Sequence, residues 1–313
     1  MIALFRKLHS WMKMTDIPND KRGMDFGSAF AIQDPAAIKI LREPFDLQCV
    51  NSDSVIDEYL HEYNAWIRST TSNSFTGLED FKYRCFSNGT TEAFDKFYMK
   101  NAKRRFRCFK GEYMYHKLAW RDKFVWNYIE DAPLHKADAV VISLPFADTG
   151  DKHTEYHELM RKCCDMNIPV LVDCAYFGAC RDINFDLAYR CITDVTFSLS
   201  KSFPVAYARI GMRYTRVDDD DTMFVYHKIN YNNKIGAALG LKYFNNFTPD
   251  YISQKYIDKQ LNFCNTVGVN PSKTVLFGID DKNMYSQYNR GGNTNRLSFH
   301  KQYIKGLDFA STK

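Results

Sequence analysis

The run Val195-Thr196-Phe197-Ser198-Leu199-Ser200-Lys201-Ser202-Phe203 decides how the chain is read, together with Arg209-Ile210-Gly211 just beyond it. Val195 to Leu199 is apolar and β-branched enough for a buried strand. The strand breaks into a polar Ser-Lys-Ser turn, and a second strand-like run, Tyr207 to Tyr214, returns. A lysine at a strand end can point into a cleft, where a partly desolvated amine suits imine formation. A surface turn with a lysine between two hydroxyls has the same local sequence, so the stretch needs company before it means chemistry.

Company comes from the preceding segment. Ala139-Val140-Val141-Ile142-Ser143-Leu144 is apolar throughout, as in a strand buried on both faces of a parallel sheet. A loop, Pro145 to Gly150, leads to a helix over Thr154 to Met166 that turns Tyr156, Leu159, Met160 and Cys163 inward. Pro169 ends that stretch, and Val170-Leu171-Val172-Asp173 is the next strand. This is a βαβ unit, so the fold class is α/β, a mostly parallel open sheet flanked by helices. Ligands of such sheets bind beyond the carboxyl ends of the strands. Asp173, Lys201 and Tyr113 all stand at such ends.

Further out, residues 1–50 read as an arm of short elements, punctuated by Pro18, Gly23, Gly27, Pro35 and Pro44. Asn51 to Thr70 has helical spacing of Ile56, Leu60, Tyr63 and Ile67. After a short strand, Tyr83 to Phe86, Ser87-Asn88-Gly89-Thr90-Thr91-Glu92-Ala93 opens a helix with an apolar face of Phe94, Phe97 and Tyr98. Gly89-Thr90-Thr91 is either an anion seat at a helix N-terminus or a plain capping box closed by Glu92. Lys103 to Arg107 reads as a solvated approach to the strand Phe106 to Phe109. The aromatic loop Gly111 to Tyr115 serves core packing or stacks on a ligand. Asp218 to Asp221 charges the start of a helix, Thr222 to Asn232. A helix over 249–265 and strands at Thr274 to Ile279 and Asn295 to Phe299 form a small α+β unit. The expected division is an arm at 1–50, a large domain at 51–240 and a small domain at 241–313.

Composition narrows the function classes. The chain has 313 residues, 45% hydrophobic and 25% charged, as globular proteins do. Its 42 basic and 37 acidic residues leave +5, too thinly spread to argue for nucleic acid or a membrane surface. Nine cysteines without CxxC pairs suggest reduced thiols and a cytoplasmic location. Met1 to Met14 lacks a signal-peptide core, and there is no apolar run of membrane-spanning length. No metal is expected. His153 and His157 lack a correctly spaced glutamate, and Asp218 to Asp221 lacks calcium-loop spacing.

Gly89-Thr90-Thr91, Tyr113, Asp173 with Tyr176, Ser198-Leu199-Ser200-Lys201 and Arg209 are each unspecific. In this order they resemble fold-type I pyridoxal-phosphate enzymes, the aspartate-aminotransferase-like (class I/II) family. The matching motifs are Asp173-Cys174-Ala175-Tyr176-Phe177-Gly178 and Ser198-x-Ser200-Lys201-x7-Arg209-Ile210-Gly211, within a likeness from about Ser87 to Tyr214. The resemblance implies pyridoxal 5'-phosphate as cofactor, held by Lys201 as an imine, with Lys201 also the base. Asp173 would pair with the pyridine nitrogen, Tyr176 would bond the ring O3′, and Tyr113 would stack on the ring. Gly89, Thr90, Thr91, Ser198 and Arg209 would hold the phosphate, with Ser200 in the same shell. Arg296, in Asn295-Arg296-Leu297-Ser298-Phe299, would grip a substrate α-carboxylate, or stand on an edge strand as a rim residue. The family's Asn-Pro-Thr-Gly loop becomes Ala147-Asp148-Thr149-Gly150, so Ala147 replaces an asparagine, and the small domain is reduced. The implied activity is amino-group transfer between an amino acid and a 2-oxo acid, in a homodimer. A lyase or decarboxylase, or a cofactor-binding regulatory protein, would use the same residues.

Overall fold

The computed structural model describes residues 26–304; the rest of the arm and the last nine residues lie outside the described residues. The strands are β1 (Ser74–Thr76), β2 (Tyr83–Ser87), β3 (Arg105–Cys108), β4 (Trp126–Tyr128), β5 (Asp138–Ser143), β6 (Val170–Asp173), β7 (Asn184–Asp186), β8 (Ile192–Ser198), β9 (Gly211–Thr215), β10 (Asn270–Pro271), β11 (Phe277–Asp280) and β12 (Asn295–Ser298). The helices are α1 (Pro35–Arg42), α2 (Val55–Arg68), α3 (Thr90–Lys100), α4 (Met114–Trp120), α5 (Tyr156–Met166), α6 (Thr222–Lys228), α7 (Lys234–Asn246), α8 (Tyr251–Val267) and α9 (His300–Ile304). Seven strands form the central sheet in the order β2-β9-β8-β6-β5-β3-β4. Within it β9 runs antiparallel to both neighbours, and the other pairs are parallel.

The alternation of strand side chains explains why helices cover both faces. Val140, Ile142, Val170, Val172, Val195 and Phe197 face one apolar cluster, which they share with Tyr63 of α2, Leu159 and Met160 of α5 and Tyr243 of α7. Ala139, Val141 and Leu171 face the other, against Phe94, Phe97 and Tyr98 of α3 and Trp120 of α4. The βαβ unit of β5, α5 and β6 stands as the sequence suggests. The C-terminal part adds α8, α9 and the antiparallel sheet β10-β11-β12. Its Phe277, Leu297 and Phe299 join the same large core as Phe26 and Ile32, and α7 runs unbroken through residue 240. Among the described residues, no helix is long and apolar enough to cross a membrane.

Several local expectations change. The run Lys103 to Arg107 is solvated only at its start: Lys103 is exposed, but Arg107 is fully buried. Register places Arg105 opposite Asp138, whose carboxylate takes Arg105 at 2.7 Å and Arg107 at 2.7 Å. The loop Gly111 to Tyr115 already turns into α4 at Met114. Helix α6 ends at Lys228, short of Asn232, and Asn230 follows with a left-handed φ of 55°. The acidic run before α6 has two tasks. Asp221 caps the N–H groups of Met223 and Phe224, while Asp221 and Asp219 also pair with buried Arg213. Thr274 falls outside the strand expected there, since β11 begins at Phe277 and the Thr274 hydroxyl donates to Gly150 O at 2.8 Å. His153 falls just before α5, and only His157 lies on it. The His153 ring stacks on Phe109, with ring centres 3.7 Å apart, and His157 Nδ1 lies 2.9 Å from the Tyr189 hydroxyl.

Candidate active site

Parallel order sends the carboxyl ends of β2, β3, β5, β6 and β8 to one edge of the sheet, and the antiparallel β9 begins there. A cavity of about 250 Å³ opens at this edge. Its wall includes Thr90, Thr91, Tyr113, Asp173, Tyr176, Ser200, Lys201 and Arg209, residues spread over 120 positions of sequence.

The anionic end of the cavity is built at the start of α3. Gly89 is its N-cap, with φ 72° and no side-chain cap, so the first-turn N–H groups and the positive helix end remain available. A Cβ on Gly89 would overlap the Arg209 guanidinium. That arginine donates to Thr91 Oγ1 at 2.9 Å and to Ala206 O at 3.3 Å. Its backbone is left-handed, with φ 53° and ψ 59°, a conformation that costs a non-glycine residue about 1 kcal/mol or more. Gly211 lets the chains close up behind it, since a Cβ there would meet Phe197 O at 2.8 Å and Gly89 Cα at 3.1 Å. Glu92 does not complete a capping box with a threonine; its carboxylate takes the Asn88 N–H at 2.7 Å. Ser198 is buried one step behind the wall. Its hydroxyl lies 2.9 Å from Ser200 Oγ and 3.2 Å from Ile210 O, and so shapes the turn that presents Ser200 and Lys201.

The other end is acidic and buried. Asp173 ends β6 and is 4% exposed, with one carboxylate oxygen accepting the Ala175 N–H at 3.0 Å. Burial, and then the charge of Glu112, push its pKa up to about 8. Glu112 is itself buried, and its carboxylate takes the Ser143 N–H and the Tyr113 N–H, each at 2.9 Å. Burial raises its pKa as well, against those hydrogen bonds. Lys201 Nζ lies 5.8 Å from the Tyr176 ring centre and 5.6 Å from that of Phe30, and donates to Ala29 O.

Arg296 borders the cavity from β12. It donates to the carbonyl of Ala147, which lines the wall, and lies 4.4 Å over the Phe277 ring. It is 8% exposed, and its Nε has no partner. Burial, and then the charge of Arg290, pull its pKa down to about 10. Among the described residues, no carboxylate comes within ion-pair distance of it. Arg290 joins it on Ala147 O at 3.1 Å and reaches Glu112 O at 3.3 Å. Phe30, Ala175, Ala206 and Tyr207 complete the wall and are absent from the sequence-derived set. Phe30 lies in a stretch without periodicity, and only its place in an apolar patch of the arm marks it.

No family model and no curated protein matches this sequence. Solved structures do match it. An aminotransferase from Staphylococcus aureus superposes with a TM-score of 0.61 at 12% identity, over 94% of this chain and 96% of that one. The fold is that of the fold-type I pyridoxal-phosphate enzymes. An aromatic aminotransferase from Pyrococcus horikoshii OT3 gives 0.62 at 12% identity, over 95% of each chain. A pyridoxal-phosphate-bound C-S lyase from Staphylococcus hominis gives 0.59 at 10% identity, over 94% of each. The likeness thus extends well beyond the Ser87 to Tyr214 stretch that carries the motifs, and it reaches enzymes of more than one reaction type on the aminotransferase fold.

Proposed function

We propose that the chain binds pyridoxal 5'-phosphate at the 250 Å³ cavity and moves an amino group between an amino acid and a 2-oxo acid. One observation carries this reading. An amine, a buried carboxyl group and an anion seat, from three separate segments, face the same small space. The space lies just below the ~300–1,000 Å³ of usual ligand clefts, which suits one compact ring and not a dinucleotide. The donors fit too. The helix start, Thr90, Thr91, Ser200 and Arg209 suit a phosphate. Asp173 suits a ring nitrogen that carries a proton, and Tyr113 offers a face for stacking.

When bound, the cofactor supplies an aldehyde that captures amines and a ring that accepts the electron pair left at the substrate Cα. The remaining work falls to the chain. Lys201 Nζ would hold the aldehyde and, once a substrate amine displaces it, would be free to take the Cα proton. Asp173 accepts a hydrogen bond from the protonated ring nitrogen and becomes a carboxylate beside that cation. Tyr176 offers its hydroxyl to the ring oxygen. Arg296, a buried cation with no carboxylate partner, seats the α-carboxylate and fixes which Cα–H bond faces Lys201. Tyr207 lines the cavity yet is 95% exposed, as expected where a second subunit covers it in a homodimer. All nine cysteines are free thiols, which fits a cytoplasmic enzyme.

Borohydride reduction of the cofactor-loaded protein, followed by peptide mapping, should place the pyridoxyl group on Lys201; a label on another lysine overturns the assignment. The reaction type has its own test. An amino donor alone should bleach the yellow colour, and a 2-oxo acid should restore it. The second reading is a lyase, favoured by the C-S lyase among the structural neighbours. A lyase would release product and keep its colour with no oxo acid present.

A further inference from the structure

Cys164 sits in the last turn of α5, and Cys191 immediately precedes β8. Their sulfurs are 3.0 Å apart, about 1 Å more than the ~2.05 Å of a disulfide bond. The chain holds them there. Cys191 donates through sulfur to Met160 O at 3.4 Å, and its N–H points to Cys164 Sγ at 3.4 Å. Arg190 donates to Cys164 O at 3.0 Å, and the Val170 N–H bonds Cys191 O at 2.9 Å. The two thiols differ in access: Cys164 is half-buried and Cys191 is buried. Burial, and then Cys164 itself, push the Cys191 thiol up, so it is the poorer first nucleophile.

We propose that Cys164 and Cys191 form a reversible thiol-modification site that takes a small disulfide such as oxidised glutathione. The Cys164 thiolate attacks one glutathione sulfur, the S–S bond breaks, and a glutathione thiolate leaves. The Cys191 sulfur then attacks Cys164, forming the intramolecular disulfide and expelling the second glutathione. Two protein thiols are oxidised, one glutathione disulfide is reduced to two thiols, and the two protein protons end on the departing glutathiones. The new bond ties the end of α5 to the turn before β8. Lys201 lies past the other end of that seven-residue strand, roughly 20 Å away. The proposal is independent of the cofactor reading.

The test treats the folded full-length protein with oxidised glutathione and maps peptides without reduction. The expected result is one linked pair, Cys164 with Cys191, a mass loss of two hydrogens, and full reversal by dithiothreitol. Cys164→Ser should abolish both the link and the glutathione adduct. Cys191→Ser should leave a stable mixed disulfide on Cys164. A different linked pair, a mixed disulfide on wild-type Cys164 that never closes, or no thiol loss at all would each overturn the proposal.

Discussion

Two groups of buried charge share this molecule and differ in one respect. On the strands of the central sheet, Arg107 lies with Asp138, which also takes Arg105, and Arg213 lies with Asp194, Asp219 and Asp221. At the cavity edge, Asp173 and Arg296 are as deeply buried, yet neither has an ion-pair partner within 4 Å among the described residues. Their titration follows. Burial pushes Asp138 up, but hydrogen bonds from Arg105, the His135 N–H and Arg107 outweigh it and hold the group below its ordinary range. At Asp173 burial and the charge of Glu112 outweigh the Ala175 N–H and Lys201, and the group rises to about 8. A buried charge that is paired inside the chain serves the fold, whereas one left unpaired costs stability until something else brings the countercharge. On the proposed function, the second group is where a ligand supplies the missing partner.

The most severe way to break this contrast is to remove the two aspartates in turn. Asp173→Ala should fold and still take the pyridoxyl label on Lys201, while turnover falls about ten-thousandfold, roughly 5 kcal/mol of transition-state stabilisation. Asp138→Ala should instead lose the fold's cooperativity, because two arginines are stranded. Near-normal turnover in Asp173→Ala would make that residue a mere strand-end carboxyl group.

The arginines give the next contrast. Arg107→Met removes a partner from a buried pair and should cost about 3–5 kcal/mol in denaturant unfolding. Arg296→Met removes a cation that no carboxylate among the described residues pairs with, and Arg290 still holds the Ala147 carbonyl, so the empty protein should lose far less stability. Equal losses in the two variants would erase the distinction. Arg296→Lys sharpens it on the functional side. Lysine keeps the charge but loses the two-point fork, so kcat/KM for amino acids should fall about a hundredfold with the Lys201 label unchanged. An unchanged kcat/KM would return Arg296 to the rim of the fold.

These two groups were unequally legible in the sequence. The candidate site could be read because several of its residues end a strand or open a helix, as Asp173 ends Val170-Leu171-Val172-Asp173 and Thr90 follows Gly89. The paired group could not, because the partners of buried Arg107, Asp138 and carbonyls such as those of Tyr128 and Pro133, lie 21 to 31 residues away, and local charge patterning describes a solvated cluster equally well. Ser198 shows the limit from the other side. Its place in the motif points to the cavity, but β8 turns its hydroxyl back to Ile210 O and leaves the wall to Ser200. Phe30 and Ala29 approach Lys201 from 171 and 172 residues away in a segment with no periodicity, so only packing could reveal them.

The last contrast separates the two aspartates by pH alone. Asp138, held below its ordinary value in the fold, contributes stability above pH ~4 that is lost as pH falls through its lowered pKa. Asp173 has the opposite sign. Its folded pKa of about 8 lies above the ordinary 3.8, so between these values the folded protein keeps a proton that the unfolded chain has released. Its contribution is therefore complete below pH ~4 and is lost as pH rises toward 8, with a slope of at most ~1.4 kcal/mol per pH unit. Urea unfolding of the cofactor-free protein at pH 5, 6, 7 and 8 should show that decline, and Asp173→Asn, which carries no titrating proton, should flatten it. A cation bound against Asp173 favours the carboxylate, so loading with pyridoxal phosphate should release close to one proton near pH 7. Calorimetry in two buffers of different ionisation enthalpy measures that release. A wild type and an Asp173→Asn variant with the same pH slope and the same proton release would show that Asp173 is already ionised in the empty fold. The buried carboxyl groups would then differ in location only, and not in charge.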